Sequence, residues 1–162
     1  MPTTAAAPLA LPLLTDISCG LARAPELWGP HAHHLPGDRR PVRLLATERY
    51  EAWVIGWTPG QAVDLHDHGE AVGALTVVEG CLDELVLRVG GLRRRSLPQG
   101  ITVRLPAGLV HDVVAPGDGP ATSVHVYSPP LRTMTFYAPD GRPLRTAEVA
   151  PEEPVLGPND RG

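Results

Sequence analysis

Four of the seven histidines in this 162-residue chain sit at spacings that can carry chemistry. His66 and His68 are one residue apart, so in an extended strand both imidazoles leave the same face. Neutral imidazole nitrogens side by side are a candidate metal-ligand pair. Gly69 follows directly and lets the backbone bend, leaving space beside the rings. A lone His-x-His also occurs by chance in exposed strands, so the context has to decide. Ser123, His125 and Tyr127 alternate in the same way and place a hydroxyl, an imidazole and a phenol on one side of one strand. In that order they can hydrogen-bond in series and fix the phenolic proton. On spacing alone, a half-buried strand with a solvated polar face is the competing reading. His31, His33 and His34 lie in a Pro/Gly-rich connector and read as exposed, uncommitted side chains.

Context strengthens the first pair. Gly60 precedes His66, Gly80 closes that segment, and Gly100, Pro106, Gly108 and His111 follow as a second group. This pair of patterns resembles the two cupin motifs. Two positions depart: Gly73 stands where the family usually has a metal-binding glutamate, and Ala115 where it has an asparagine. Glu70, which shares strand parity with His66 and His68, is a nearby candidate to replace that glutamate, although Gly69 interrupts the alternation. The resemblance implies that His66, His68 and His111 converge from two strands into the mouth of a barrel. Three neutral nitrogen ligands suit Fe(II), Zn(II), Cu(II) or Ni(II) and leave coordination positions open. With no ligand charge, the metal keeps its full positive charge for an anionic substrate such as a thiolate.

The segments Trp57–Gly60, Leu65–Gly69 and Ser123–Pro130 are similar to thiol dioxygenases of the cysteine dioxygenase family, over roughly Arg43 to Tyr137. That resemblance implies Fe(II) on His66, His68 and His111, with Ser123, His125 and Tyr127 as the relay beside it. It implies that Arg43 clamps the substrate carboxylate, with Arg39 and Arg40 just upstream. Tyr127 is expected to stay unmodified, because Gly73 occupies the position of the cysteine that cross-links in vertebrate members. A cis Ser128–Pro129 bond is implied as well. The activity implied is oxidation of L-cysteine by O2 to cysteine sulfinate. Other small thiols (3-mercaptopropionate, cysteamine) and a non-catalytic metal-binding cupin sensor are the alternatives.

The elements that must position these residues are mostly strands. Seventeen glycines and nineteen prolines argue against a helical bundle and for short strands joined by turns. Period-two patterns cover Arg43–Ala46, Ala52–Trp57, Ala74–Glu79, Leu82–Val89, Ile101–Leu105, Val110–Ala115 and Ser123–Tyr127, with turn residues between them. Before them, from Leu11 to Trp28, Leu14, Ile17, Leu21 and Leu27 predict a short helical stretch interrupted at Pro25, with Thr15 or Asp16 as its cap. The expected fold is an all-β, single-domain cupin (jelly-roll β-barrel) with a short N-terminal helical segment. Residues 1–40 form that segment and its connector, starting from a frayed end at 1–10. Residues 41–145 form the barrel, and 146–162 an irregular tail.

Composition excludes other classes. The 43% apolar content supports one sizeable core, built mainly of Leu, Val and Ala because only seven residues are aromatic. The formal charge of -4 argues against nucleic acid and anionic membranes as partners, and Arg93-Arg94-Arg95 reads as a solvated hairpin beside Gly90-Gly91. The expected partners are a small-molecule thiol and O2, with the chain a monomer or weak homodimer. Cys19 and Cys81 are too few for a disulfide scaffold and fit a reduced compartment. The apolar start lacks a basic region and is interrupted by Pro2, Pro8 and Pro12, which makes it a weak signal peptide. No apolar run is long enough for a membrane helix, and a cytoplasmic location is expected.

Overall fold

A computed structural model of the chain describes residues 6–157. The first half of the expected frayed start, 1–5, and the end of the tail, 158–162, lie outside the described residues. Helix α1 (Leu11–Ala22) is followed by the one-turn α2 (Pro25–Trp28) and a 3-10 turn (Gly29–His31). Pro12 falls in the first turn of α1, where its missing N–H costs nothing. The expected cap is absent: Ala10 holds the N-cap position, and Thr15 Oγ1 donates back to the Leu11 carbonyl at 2.9 Å. The helix begins earlier than Thr15 because Leu11 and Leu14 already face the sheet.

Ten strands follow among the described residues: β1 (Val42–Ala46), β2 (Glu51–Trp57), β3 (Val72–Glu79), β4 (Cys81–Arg88), β5 (Gly91–Pro98), β6 (Thr102–Leu105), β7 (His111–Val114), β8 (Ala121–Ser128), β9 (Thr133–Tyr137) and β10 (Pro143–Glu148). One sheet has the order β1-β2-β8-β3-β6; the others are β5-β4-β7 and β10-β9. Residues 60–67 tie the two smaller sheets together. Their backbone bonds to β7 on one side and to β9 on the other, including the pair exchanged by His66 and His111 at 2.9 and 3.0 Å. The barrel is therefore realised as two facing sheets with the core between them rather than as one closed ladder.

The seven expected strands all form. Three more were not expected. β5 carries Arg93 to Arg95 outward, with Arg94 paired to Asp83 and Arg95 to Glu84 across the hairpin. β9 and β10 pair to each other, and β10 continues to Glu148 where an irregular tail was expected from 146. Among the described residues no helix is long and apolar enough to cross a membrane.

The large sheet is covered on both faces. Trp53, Ile55 and Trp57 of β2 point into the core between the sheets, with Leu75, Val77, Val86 and Val113. Ala52 and Val54 point the other way and pack with Val124 and Val126 under Leu14 and Leu21 of α1. Every residue of β2 is buried as a result.

The connector after α2 is pinned against this sheet. His34 Nε2 bonds Thr122 Oγ1 at 2.8 Å, so this histidine, expected to be uncommitted, is a fastening point. Gln61 Nε2 donates to the carbonyls of Leu35 and Gly37, both at 2.8 Å. Gly56 makes the approach possible, since a Cβ there would lie 2.2 Å from the His33 carbonyl oxygen. Gly56→Ala should therefore push the connector off β2 and lower stability by about 1–3 kcal/mol in urea unfolding. An unchanged midpoint would show that the connector is not held there.

Candidate metal centre

Two of the three histidines have one ring nitrogen fixed by a hydrogen bond. Asp64 adopts a left-handed conformation (φ 80) and donates its N–H to Asp112 Oδ1 at 2.9 Å. Its carbonyl then accepts His66 Nδ1–H at 2.7 Å, which leaves His66 Nε2 free. His111, on an inward position of β7, donates Nδ1–H to Glu84 Oε1 at 2.8 Å, leaving its Nε2 free in the same way. His68 Nε2 is buried with no hydrogen-bond partner among the described residues. One ligand atom from each of the three lies within 4.8 Å of the others, and the ring centroids are 4.8 to 5.1 Å apart.

These residues fit a metal ion. An orphaned buried imidazole nitrogen is costly without a partner, and a cation shared by three such nitrogens removes the cost. Burial pushes His66 down to about 3, with the neighbouring His111 adding to the shift, and pushes His68 well below its ordinary value. Both rings are thus held neutral, the form that ligates. Glu70 lies exposed in the turn after Gly69 and takes no part in this cluster.

Glu84 went unrecognised in the sequence. It is fully buried between His111 and Arg95, whose Nε and Nη2 reach Glu84 Oε2 at 2.6 and 2.5 Å. Burial works against its charge, but hydrogen bonds from His111 and Arg95 hold the carboxyl below its ordinary range. A signal was present: Leu82, Glu84 and Val86 share one strand face, so a carboxylate stands at a core position.

The Ser-His-Tyr row has a definite direction. Trp57 Nε1–H donates to Ser123 Oγ at 2.9 Å, and Ser123 Oγ lies 2.8 Å from His125 Nε2. Ser123 is fully buried and these are its hydroxyl's only two partners among the described residues, so the hydroxyl proton goes to His125. Burial lowers His125 to about 3, so the ring is neutral and carries its one proton on Nδ1. That proton is donated to the Tyr127 oxygen at 3.0 Å, which leaves the phenolic O–H to point elsewhere. Burial, with the charge of Glu51, raises Tyr127 above its ordinary value and keeps the phenol protonated. Its ring lies against Gly73, where a Cβ would sit 2.8 Å from Tyr127 Cδ1.

Tyr127, His125, His66 and His111 open onto one cavity of about 310 Å³, walled by apolar groups including Ile55, Val113 and Phe136. Arg43 is not among its lining residues. Its Nη2 ion-pairs with Glu51 at 2.7 Å and its Nη1 donates to the Glu152 carbonyl at 2.9 Å, beside an adjoining cavity. The arginine on the wall of the histidine cavity is Arg39.

Residues 24–139 match the family model for cysteine dioxygenase type I, well over half of the chain. The chain belongs to this family. Solved structures agree on the fold. The TT1209 protein of Thermus thermophilus is 24% identical with a TM-score of 0.57, over 63% of this chain and 93% of that one. A conserved protein with a double-stranded β-helix domain from Klebsiella pneumoniae is 22% identical with a TM-score of 0.57, over 62% and 85%. An oxalate oxidase in complex with glycolate is 23% identical with a TM-score of 0.51, over 57% of this chain and 52% of that one. This cysteine dioxygenase family member is accordingly a cupin with a three-histidine site, and the Ser128–Pro129 bond is cis.

Two outcomes follow from these contacts. Glu84→Gln keeps the bond to His111 but removes the charge behind it, and should weaken metal binding about 10–100-fold in a competitive chelator titration. Wild-type affinity in that variant would leave Glu84 a purely structural role. The second concerns acid. His125 binds its proton at about 3 in the folded state and near 6.5 when unfolded, so between these values the unfolded chain takes up more protons. Stability of the metal-free protein is thus greatest above about pH 6.5 and should fall as pH drops toward 3, with His125→Asn flattening part of that slope.

Proposed function

We propose that this protein is a mononuclear non-haem iron dioxygenase that oxidises the thiol of L-cysteine with O2 to cysteine sulfinate. The observation that carries the proposal is the Tyr127 O–H, left unused by the Trp57–Ser123–His125 chain in the cavity shared by His66 and His111. Fe(II) held by His66, His68 and His111 would supply a Lewis acid that lowers the thiol pKa and brings thiolate and O2 together. The overall change is RSH plus O2 to RSO2H. Sulfur loses four electrons, the two oxygen atoms gain them, and no external reductant is needed.

The chain's own residues shape this reaction. The ligands are neutral, so nothing in the immediate shell opposes an approaching thiolate. Glu84 acts behind His111, raising its basicity as a ligand and fixing its tautomer. Tyr127 donates its hydrogen bond to the oxygen or sulfur of the reacting group, and His125 with Ser123 holds that proton in place. The apolar walls limit water access to the reacting sulfur.

Reaction of the iron-loaded protein with L-cysteine under 18O2 should give sulfinate labelled in both oxygens. Unlabelled or singly labelled sulfinate would overturn the assignment, and no oxygen uptake from a fully loaded protein would leave a metal-binding cupin without this activity. Tyr127→Phe should slow turnover by about 10²-fold or more while leaving iron content unchanged. Equal loss of iron and activity would make Tyr127 a structural residue.

A further inference from the structure

We infer that Asp67 is a positioning residue for the metal centre: with Tyr137 of β9 it fixes the stretch of chain that carries His68. The inference rests on the cluster of His66, His68 and His111, and not on which reaction that cluster performs.

His68 is the ligand whose ring is not aimed by a hydrogen bond. His66 is aimed by the Asp64 carbonyl and His111 by Glu84, whereas the His68 ring makes no hydrogen bond among the described residues. It only leans on other rings, with centroids 5.0 Å from Tyr127, 4.9 Å from His66 and 5.1 Å from His111. It also lies outside the strands, so no ladder holds its backbone. A ligand in this situation has to be placed through the residues beside it.

Asp67 is built to do so. Alternation sends its side chain away from the face of His66 and His68, and it meets β9. Oδ1 accepts the Gly69 N–H at 3.1 Å, which closes a turn around His68, and also the Thr135 N–H at 3.0 Å. Oδ2 accepts the Tyr137 O–H at 2.7 Å. The Asp67 N–H donates to the Thr135 carbonyl at 2.9 Å, so backbone and side chain are both tied to the same strand. On the other side of His68, Gly69 has φ 59 and sits so near β9 that a Cβ would lie 2.7 Å from Thr133 Oγ1. Thr133, Thr135 and Tyr137, alternate residues of β9, thus grip the chain on both sides of the ligand. β9 supplies none of the imidazoles, yet through Asp67 its hairpin with β10 becomes part of the metal centre. Without the carboxylate the turn around His68 is loose, and a metal has to order it on binding, which costs affinity.

The test is Co(II) binding to the metal-free protein, read by competitive chelator titration and by the visible absorption bands of the bound ion. Asp67→Ala should bind Co(II) at least about tenfold more weakly, with altered bands. Tyr137→Phe, which removes the donor to Oδ2, should bind about three- to tenfold more weakly. Asp67→Asn keeps an oxygen for Gly69 and Thr135 and can turn its amide to the phenol oxygen, so it should recover most of the affinity. Gly56→Ala, which loosens the connector instead, should lower stability and leave affinity and bands as in wild type. The assignment is overturned if a folded Asp67→Ala protein keeps wild-type affinity and bands, whatever its melting temperature. Should Asp67→Ala not fold, Tyr137→Phe decides by the same two readouts. No thiol or O2 enters these titrations, so a failure of cysteine oxidation would defeat the dioxygenase reading and leave this result standing.

Discussion

The constraint on which the rest depends is that β8 is buried on both faces. One side of this strand must be apolar to lie under α1, and Val124 and Val126 provide it. The other side carries three polar groups with almost no access to water, so they must satisfy one another. Ser123, His125 and Tyr127 do so as a chain, and Trp57 starts it from the neighbouring strand. A slip of one residue would place the polar row beneath the helix and two valines in the cavity. The ladders to β2 and β3 on either side prevent it. Fold and chemistry therefore share one register.

Charge is arranged just as tightly. His66 and His68 are held neutral, and the buried carboxylates nearby each have a fixed cation: Glu84 has Arg95 and Glu51 has Arg43. The Arg43 pair also couples two parts of the chain far apart in sequence, since the arginine that neutralises Glu51 holds the segment around Glu152. Arg39 stands outside this pairing. Its position near His66, His125 and Tyr127 gives the cavity a positive bias that no carboxylate among the described residues cancels by direct contact.

Much of this was legible in the residues. The alternating Ser123, His125 and Tyr127 row lies along one face of β8, because period-two alternation survives folding. The route was less regular than expected: His66 and His68 lie on a bent segment between β7 and β9, not in a ladder strand. β5 escaped notice because only Leu97 of it is buried, and three arginines mask a strand whose outer face is solvent. β9 and β10 are at most half-buried throughout, and so carry little apolar alternation. Glu84 was readable from parity. Which of Arg39, Arg40 and Arg43 faces the cavity was not, because the answer depends on how Gly56, His34 and Gln61 lay the connector across the sheet.

The cavity is built from two kinds of material. The histidines and the relay come from strands and from a segment hydrogen-bonded into a sheet, where each change disturbs a ladder. Arg39 and Pro41 on one side, and Val149, Ala150 and Glu152 on the other, come from stretches outside the strands. Exchanging those residues breaks no strand pairing and moves no imidazole. The histidine cluster and this rim are thus separable parts, and side chains can change along the rim while the ladders that hold the imidazoles stay as they are.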